Sequence, residues 1–395
     1  MRLSARITEI MPGGDDGWGI YYAARRRLAQ GRQVVNLTIG DHDVGPDAGI
    51  LAALERSLRD GHTGYAAVEG TLGLRSAIAQ AQPVATTPEE VAVTCGGQAG
   101  LFAALTTVLD PGDSCVVLDP YYATYGQTVR AVGGEPIVVS CAPDDGFQPD
   151  IDAIARALTP RTRAILLNTP NNPSGAVYTA DRLAGIAALA EARDLVVVSD
   201  EVYAEHVFVG RHLSPRAVPA LEGRTLVVNS LSKSHGLTGF RLGWVVGPAE
   251  AIARIHELAV TTTYGLPGFV QDAGEHALRH AAGAVEDIRA RYAARRRVAV
   301  AAFAGSEAAR PVVPEGGMYV LVDIRPTGLS GTAFAERLLE AEGIAVMPGE
   351  SFGAAASGHV RVALTVPEAV LGPALAGLKA FAARQYTARN APAAR

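Results

Sequence analysis

Arg224-Thr225-Leu226-Val227-Val228-Asn229-Ser230-Leu231-Ser232-Lys233-Ser234-His235-Gly236-Leu237-Thr238-Gly239-Phe240-Arg241 is the stretch that decides how this chain is read. Its apolar run at 225–228 has the length and composition of a buried strand. Lys233 therefore falls just beyond a strand's carboxyl end, where open α/β sheets bind their ligands. Only two of the 35 basic residues are lysines, Lys233 and Lys379. An amine can form an imine with an aldehyde and a guanidinium cannot, so Lys233, set among hydroxyls and glycines, reads as a Schiff-base nucleophile. Lys379 lies in an Ala/Leu-rich helical pattern and reads as an ordinary solvated lysine.

Working outward, similar strand-like runs recur at 91–94, 114–119, 135–140, 163–168, 195–199 and 241–246, with helical patterns near 99–109, 125–132, 151–158 and 180–193. That alternation implies an α/β fold whose large domain holds a mostly parallel seven-stranded sheet covered on both faces. Beyond Pro248 the pattern is helical to about Ala304. Short strands at 312–313, 318–323, 344–348 and 358–363, with helices near 332–342 and 368–383, then imply a smaller α/β domain. Residues 1–45 hold a glycine-rich arm (13–17), a helix at 18–30 and a short strand at 34–39, too thin to fold alone. The expected division is 1–45 as arm and part of the small domain, 46–290 as the large cofactor-binding domain and 291–395 as the small C-terminal domain. A further helix is expected at 48–60, and the tail from Tyr386 as frayed.

The chain has 395 residues and a formal charge of −5, and no basic run dominates it, which argues against a nucleic-acid partner. The clusters Arg25-Arg26-Arg27 and Arg295-Arg296-Arg297 read as solvated helix faces. Cys95, Cys115 and Cys141 lack metal-ligand spacing and read as small buried hydrophobes of a reducing compartment. No metal is called for. The start lacks a signal-peptide core and no apolar run spans a bilayer, so the cytoplasm is the default expectation and no membrane partner is expected.

A Schiff-base lysine usually holds pyridoxal 5'-phosphate, and that cofactor makes separate demands on the rest of the site. For its phosphate, Thr94-Cys95-Gly96-Gly97-Gln98-Ala99 offers a strand end, two glycines and a helix start, bracketed by Ser230 and Arg241. For its pyridine nitrogen, Asp200 closes the apolar run Leu195-Val196-Val197-Val198-Ser199, with Glu201 as the neighbouring candidate. Tyr203 and Asn172, in Asn171-Asn172-Pro173-Ser174-Gly175, could donate to the ring oxygen. Asp119-Pro120-Tyr121-Tyr122-Ala123-Thr124-Tyr125 offers a ring to stack on, Tyr122. Arg361, inside His359-Val360-Arg361-Val362-Ala363, suits the carboxylate of an amino acid, because an unpaired arginine in an apolar strand would be costly.

Together these motifs closely resemble the class I/II aminotransferases, fold-type I enzymes dependent on pyridoxal phosphate, from the Gly40 region to Arg361. The resemblance implies that Lys233 carries the cofactor imine and shuttles the proton, that Asp200 pairs with the ring nitrogen, and that Asn172 and Tyr203 bind the ring oxygen. It further implies that Tyr122 stacks on the ring, and that Gly97, Gln98, Ala99, Ser230 and Arg241 take the phosphate. Arg361 would bind the substrate carboxylate with Gly40 alongside, and Tyr65 would reach the partner's site in a homodimer with shared active sites. The substrates implied are an amino acid and a 2-oxo acid such as pyruvate.

Ser230-Leu231-Ser232-Lys233-Ser234-His235, Gly243-Trp244-Val245-Val246-Gly247-Pro248 and Asp323-Ile324-Arg325-Pro326-Thr327-Gly328-Leu329-Ser330 are similar to bacterial arginine:pyruvate aminotransferases, which implies a guanidino or other cationic side chain in the substrate. Asp15, Asp16 and Asp41 are the acids that could meet it. Two departures stand out: His42 occupies a place where the family commonly has proline, and the stretch 79–88 is shortened. An aspartate or broad-specificity aminotransferase, or a lyase on the same scaffold, fits the same motifs. A ligand-sensing module would need an added N-terminal DNA-binding domain, and a nicotinamide oxidoreductase a Gly-x-Gly-x-x-Gly turn where Gly-Gly-x-x-Gly stands.

Overall fold

The computed structural model describes residues 1–12, 14 and 17–391, so the acids Asp15 and Asp16 lie outside the described residues. In chain order the strands are β1 (Val35–Leu37), β2 (Val91–Thr94), β3 (Ser114–Asp119), β4 (Glu135–Ser140), β5 (Thr162–Asn168), β6 (Val196–Asp200), β7 (Thr225–Ser230), β8 (Gly243–Val246), β9 (Arg310–Val312), β10 (Tyr319–Asp323), β11 (Ile344–Pro348) and β12 (His359–Ala363). They form a seven-stranded sheet ordered β2-β8-β7-β6-β5-β3-β4 and a five-stranded sheet ordered β1-β11-β12-β10-β9. In the large sheet only β8 runs antiparallel to its neighbours, as expected of a mostly parallel sheet.

The near-continuous apolar runs follow from burial on both faces. Along β3, Val116 and Leu118 face the core that includes helix Ala180–Arg193, whereas Cys115 and Val117 face the one that includes helix Gly96–Val108. Along β5, Ile165 and Leu167 divide from Ala164 and Leu166 in the same way, as the two-residue period of a strand requires. In the central strands most positions are buried on one side of the sheet or the other, so the polar residues that close them stand at the sheet's carboxyl edge. Asp119, Asn168, Asp200 and Ser230 are the last residues of their strands. The N-terminal segment joins the small sheet through β1, which pairs in parallel with β11.

Several expectations need correction. Arg241 was expected to open a strand, but β8 begins at Gly243; Arg241 follows a 3-10 turn, Thr238–Phe240, with a left-handed φ of 53°. Cys95 is exposed, because it sits at the turn between β2 and the following helix. Arg295 is not on a solvated face: its side chain is 2% exposed, held by both carboxylate oxygens of Asp43 and the Leu364 carbonyl. The last helix runs from Glu368 to Asn390, carrying order past Tyr386. Helix Leu72–Gln80 was not anticipated; it opens on a Thr71 cap and packs against helix Gly268–His280. Among the described residues no helix is long and apolar enough to cross a membrane.

Candidate active site

The carboxyl ends of the large sheet open into a cavity of about 620 Å³, with Lys233 in its wall. β7 ends at Ser230, whose hydroxyl caps the one-turn helix Leu231–Ser234 by accepting from the Ser232 N–H. That turn aims Lys233 Nζ at the carbonyl of Gly40, 2.5 Å away. Gly40 admits no side chain, because a Cβ there would overlap the Tyr319 hydroxyl.

An anion cradle lies on one side. Helix Gly96–Val108 begins there, and the first N–H groups of a helix are unpaired and sit at its positive end. Gly96 takes φ +77°, and a Cβ on it would stand 2.5 Å from Arg241 Nη2, so only glycine lets the guanidinium lie against the helix start. Arg241 is fixed by donating from Nη1 to the Thr238 carbonyl. Ser230 and Gly97 line the same cavity. Gln98 lines it too, although its side-chain amide is engaged with Thr124 and Thr128. Ala99 does not reach this cavity; it lines the neighbouring one.

Asp200 stands in the middle, buried, its Oδ2 accepting from the Tyr125 hydroxyl at 2.6 Å and its Oδ1 from the Val202 N–H at 3.2 Å. Burial pushes its pKa up to about 6, against the pull of the Tyr125 hydrogen bond. A cation beside it would relieve that cost. Glu201 points elsewhere, binding His212 and the Ser214 hydroxyl, which leaves Asp200 as the acid of the cavity floor. Tyr122 is half-buried, its pKa pushed up to about 12 by burial, and its ring meets Tyr125 and Trp18 edge-on. Tyr203 donates to Tyr319 across 3.3 Å.

Arg361 lies beneath, 1% exposed, its guanidinium between the rings of Tyr319 and Phe352 at 4.1 and 4.3 Å. It donates to Asn172 Oδ1 at 2.9 Å and to the Thr38 carbonyl, while its Nε has no partner. No carboxylate of the chain pairs with it among the described residues, so the site carries a buried positive charge without an anion. Burial lowers its pKa accordingly.

The structure thus brings together Gly40, Gly97, Gln98, Tyr122, Asn172, Asp200, Tyr203, Ser230, Lys233 and Arg241, with Arg361 bonded to Asn172. Tyr65 stays outside: it is 90% exposed, its ring meeting that of Tyr264 edge-on. Tyr125, Tyr319 and Thr38 were missed. Tyr125 belongs to the aromatic run that follows β3, but nothing local signals a partner 75 positions away.

These residues fit pyridoxal phosphate: a glycine-lined helix start with an arginine for the phosphate, a buried acid in need of a cation for the ring nitrogen, and an amine for the aldehyde. The sequence pattern of the aminotransferase class I and II family matches residues 32–378. The chain is 42% identical over 370 residues to the arginine–pyruvate transaminase AruH of Pseudomonas aeruginosa, covering 93% of this chain and 94% of that one. It is 38% identical to an aspartate/prephenate aminotransferase of Thermus thermophilus, covering 94% and 97%. Among solved structures, the Thermus thermophilus aspartate aminotransferase with maleate superposes with a TM-score of 0.90 at 36% identity, covering 96% of this chain and all of that one. The chain belongs to the class I and II aminotransferases, pyridoxal-phosphate enzymes that exchange an amino group between an amino acid and a 2-oxo acid.

Proposed function

We propose that this enzyme takes its amino group from an L-amino acid with a cationic side chain and delivers it to a small 2-oxo acid such as pyruvate. The observation that carries the donor class is Asp41, an exposed carboxylate in the cavity wall whose Oδ1 is held by the Thr238 hydroxyl at 2.7 Å. Among the described residues the lining side chains include two cations, Lys233 and Arg241, both with other work to do, so a second carboxylate on the donor would find no counter-ion among the described residues of the wall. The 42% identity to an arginine–pyruvate transaminase supports the same reading.

Pyridoxal phosphate, when bound, supplies an aldehyde for imine exchange and a ring that draws electrons from the substrate carbon. In the proposed division of labour Arg361 grips the α-carboxylate, helped by Asn172, and so presents the α-hydrogen to Lys233. Lys233 takes that proton as general base and gives it back at the neighbouring carbon, with the Gly40 carbonyl holding its amine between transfers. Asp200 would keep the ring nitrogen charged, Tyr203 and Asn172 would donate to the ring oxygen, and Tyr122 would stack on the ring. Gly97, Gln98, Ser230 and Arg241 would hold the phosphate, whereas Ala99 faces the neighbouring cavity.

The remaining assignments are proposals of the same kind. A homodimer with shared sites is supported by Tyr65, a large side chain left 90% exposed and outside the lining of its own chain's cavity. Cytoplasmic residence is supported by three unpaired cysteines. A boundary near residue 290 places it within helix Ala282–Ala302, which links the two sheets.

A second reading, aspartate as donor, is favoured by the aspartate/prephenate relative. An amino-acid panel with pyruvate as acceptor separates the two. Alanine formed faster from arginine than from aspartate supports the first reading; the reverse order replaces it with the second.

A further inference from the structure

Six consecutive residues after β1 are each tied to a different part of the site. The Thr38 carbonyl accepts from Arg361, the Ile39 carbonyl from the Thr365 hydroxyl at 3.0 Å, and the Gly40 carbonyl from Lys233. Asp41 accepts from Thr238, His42 Nδ1 lies 3.2 Å from the Tyr292 hydroxyl, and Asp43 takes both terminal nitrogens of Arg295 at 2.9 and 2.6 Å. The grip therefore changes hands along the segment. Residues 40 and 41 hold the Lys233 turn, and residues 42 and 43 hold helix Ala282–Ala302, which carries Tyr292 and Arg295.

His42 is the pivot. Its ring lies against the backbone of Gly236, three residues past Lys233, where a Cβ would sit 3.7 Å from His42 Cγ. Tyr292 meets it edge-on at 5.5 Å, and His206 packs against both rings, 6.4 Å from His42 and 5.6 Å from Tyr292. The charged or titratable groups facing His42 are Lys233, Asp41, Asp43, His206 and Tyr292; burial, reinforced by the Lys233 charge, outweighs the pull of Asp41 and Asp43 and lowers its pKa to about 4. A neutral ring can accept from the Tyr292 hydroxyl at Nδ1 and adds no positive charge beside the amine. A proline there would offer neither the acceptor nor the ring contact with Tyr292.

We propose that His42 and Tyr292 are positioning residues for Lys233: their contact fixes residues 40–43 to helix Ala282–Ala302, so that the Gly40 carbonyl stays where it can receive the lysine amine. This rests on Lys233 being the cofactor-bearing amine. Neither residue touches the reacting atoms; they act through Gly40. Losing the contact lets the carbonyl drift, and because a fixed carbonyl favours the charged form of a nitrogen donor, the protonation of the cofactor-bearing nitrogen shifts with it.

The test compares wild type, Tyr292→Phe, His42→Leu and His42→Asn as holoenzymes. Tyr292→Phe deletes a single hydroxyl, and His42→Asn keeps an acceptor near the place of Nδ1. The readouts are the pH midpoint of the bound cofactor's colour change, and kcat against KM for one amino acid. The expected result is a midpoint displaced by about 0.3 pH or more in Tyr292→Phe and His42→Leu, a kcat lowered about tenfold with KM within about twofold, and both recovered in His42→Asn. Folded Tyr292→Phe protein with the wild-type midpoint and kcat overturns the proposal, even if it melts at a lower temperature, and decides the matter alone if His42→Leu does not fold. Wild-type protein whose cofactor cannot be fixed to Lys233 by borohydride would instead overturn the underlying assignment.

Discussion

The hydroxyl of Tyr125 and the carboxylate of Asp200 are joined by a 2.6 Å hydrogen bond in which both groups are buried. Tyr125 also meets Tyr122 edge-on at 5.8 Å, so one phenol braces both the acid of the cavity floor and the ring above it. A donor to a carboxylate stabilises its charged form, so Tyr125→Phe should raise the Asp200 pKa beyond its already elevated value of about 6. A hydrogen bond to a charged group is worth about 1.5–3 kcal/mol, which corresponds to roughly a tenfold or larger weakening of cofactor binding. Titrating apoenzyme with pyridoxal phosphate and following tyrosine and tryptophan emission would measure it. An unchanged dissociation constant would mean that Tyr125 only packs.

Arg361 sits between two rings with no anion, and its planar fork suits a carboxylate held by two parallel bonds. Arg361→Lys keeps the charge but offers a compact ammonium that cannot span both oxygens. The expected loss is about 2–3 kcal/mol of substrate binding, a rise in KM for the amino donor of roughly 30–150-fold, with the bound cofactor's spectrum retained. Steady-state kinetics with a fixed oxo acid would show it. A KM within twofold of wild type would remove Arg361 from the substrate's path.

Much of this was legible in the sequence for a simple reason. A parallel sheet buried on both faces writes its strands as unbroken apolar runs, so the polar residues closing them, Asp200 and Ser230 among them, stand out as the functional rim. Lys233 stood out because lysine is so rare in this chain. What stayed hidden depends on long-range pairing: Tyr125 looks like any core aromatic until the fold sets it against Asp200, and Arg295 shares an Arg-Arg-Arg run with neighbours of a different fate. Arg296 donates to the Pro314 carbonyl, whereas Arg295 turns inward to Asp43, a residue 252 positions away. Helical periodicity assigns a face but not a partner.

The Asp43–Arg295 pair gives a stability prediction. The guanidinium is 2% exposed and the carboxylate 16%, so removing either partner strands the other in a poorly solvated place. Asp43→Asn or Arg295→Met should each destabilise the fold by about 3–5 kcal/mol. Replacing both, Asp43→Leu with Arg295→Met, should recover most of it, because no buried charge is left behind. Urea unfolding of the three variants would reveal the pattern. Equal losses in the single and double variants would show that the pair contributes through shape and not through charge.

The same neighbourhood fixes how the apoenzyme responds to acid. Burial, the largest influence on each, lowers the pKa of His42 to about 4, of His206 to about 3 and of His235 to about 4, from 6.5. For groups whose pKa is lower in the folded chain, the unfolded chain binds the extra protons as the pH falls below 6.5. Stability is therefore whole above pH 6.5 and declines toward pH 4. Each histidine contributes about 2 kcal/mol to that decline by pH 5 and about 3 kcal/mol by pH 4, on the usual scale of 1.4 kcal/mol per pKa unit. Asp200 works the other way, since its raised pKa lets the folded chain bind a proton between about 6 and 3.8 and offsets part of the loss. Among the described residues neither ring nitrogen of His206 has a partner, so His206→Leu removes a buried base at no cost in hydrogen bonds. Urea unfolding of wild-type and His206→Leu apoenzyme at pH 7.5, 6 and 5 should show the variant losing less stability than wild type as the pH falls, by about 1–2 kcal/mol at pH 5. Parallel losses in the two proteins would mean that His206 is already charged, or already bridged to water, in the folded enzyme.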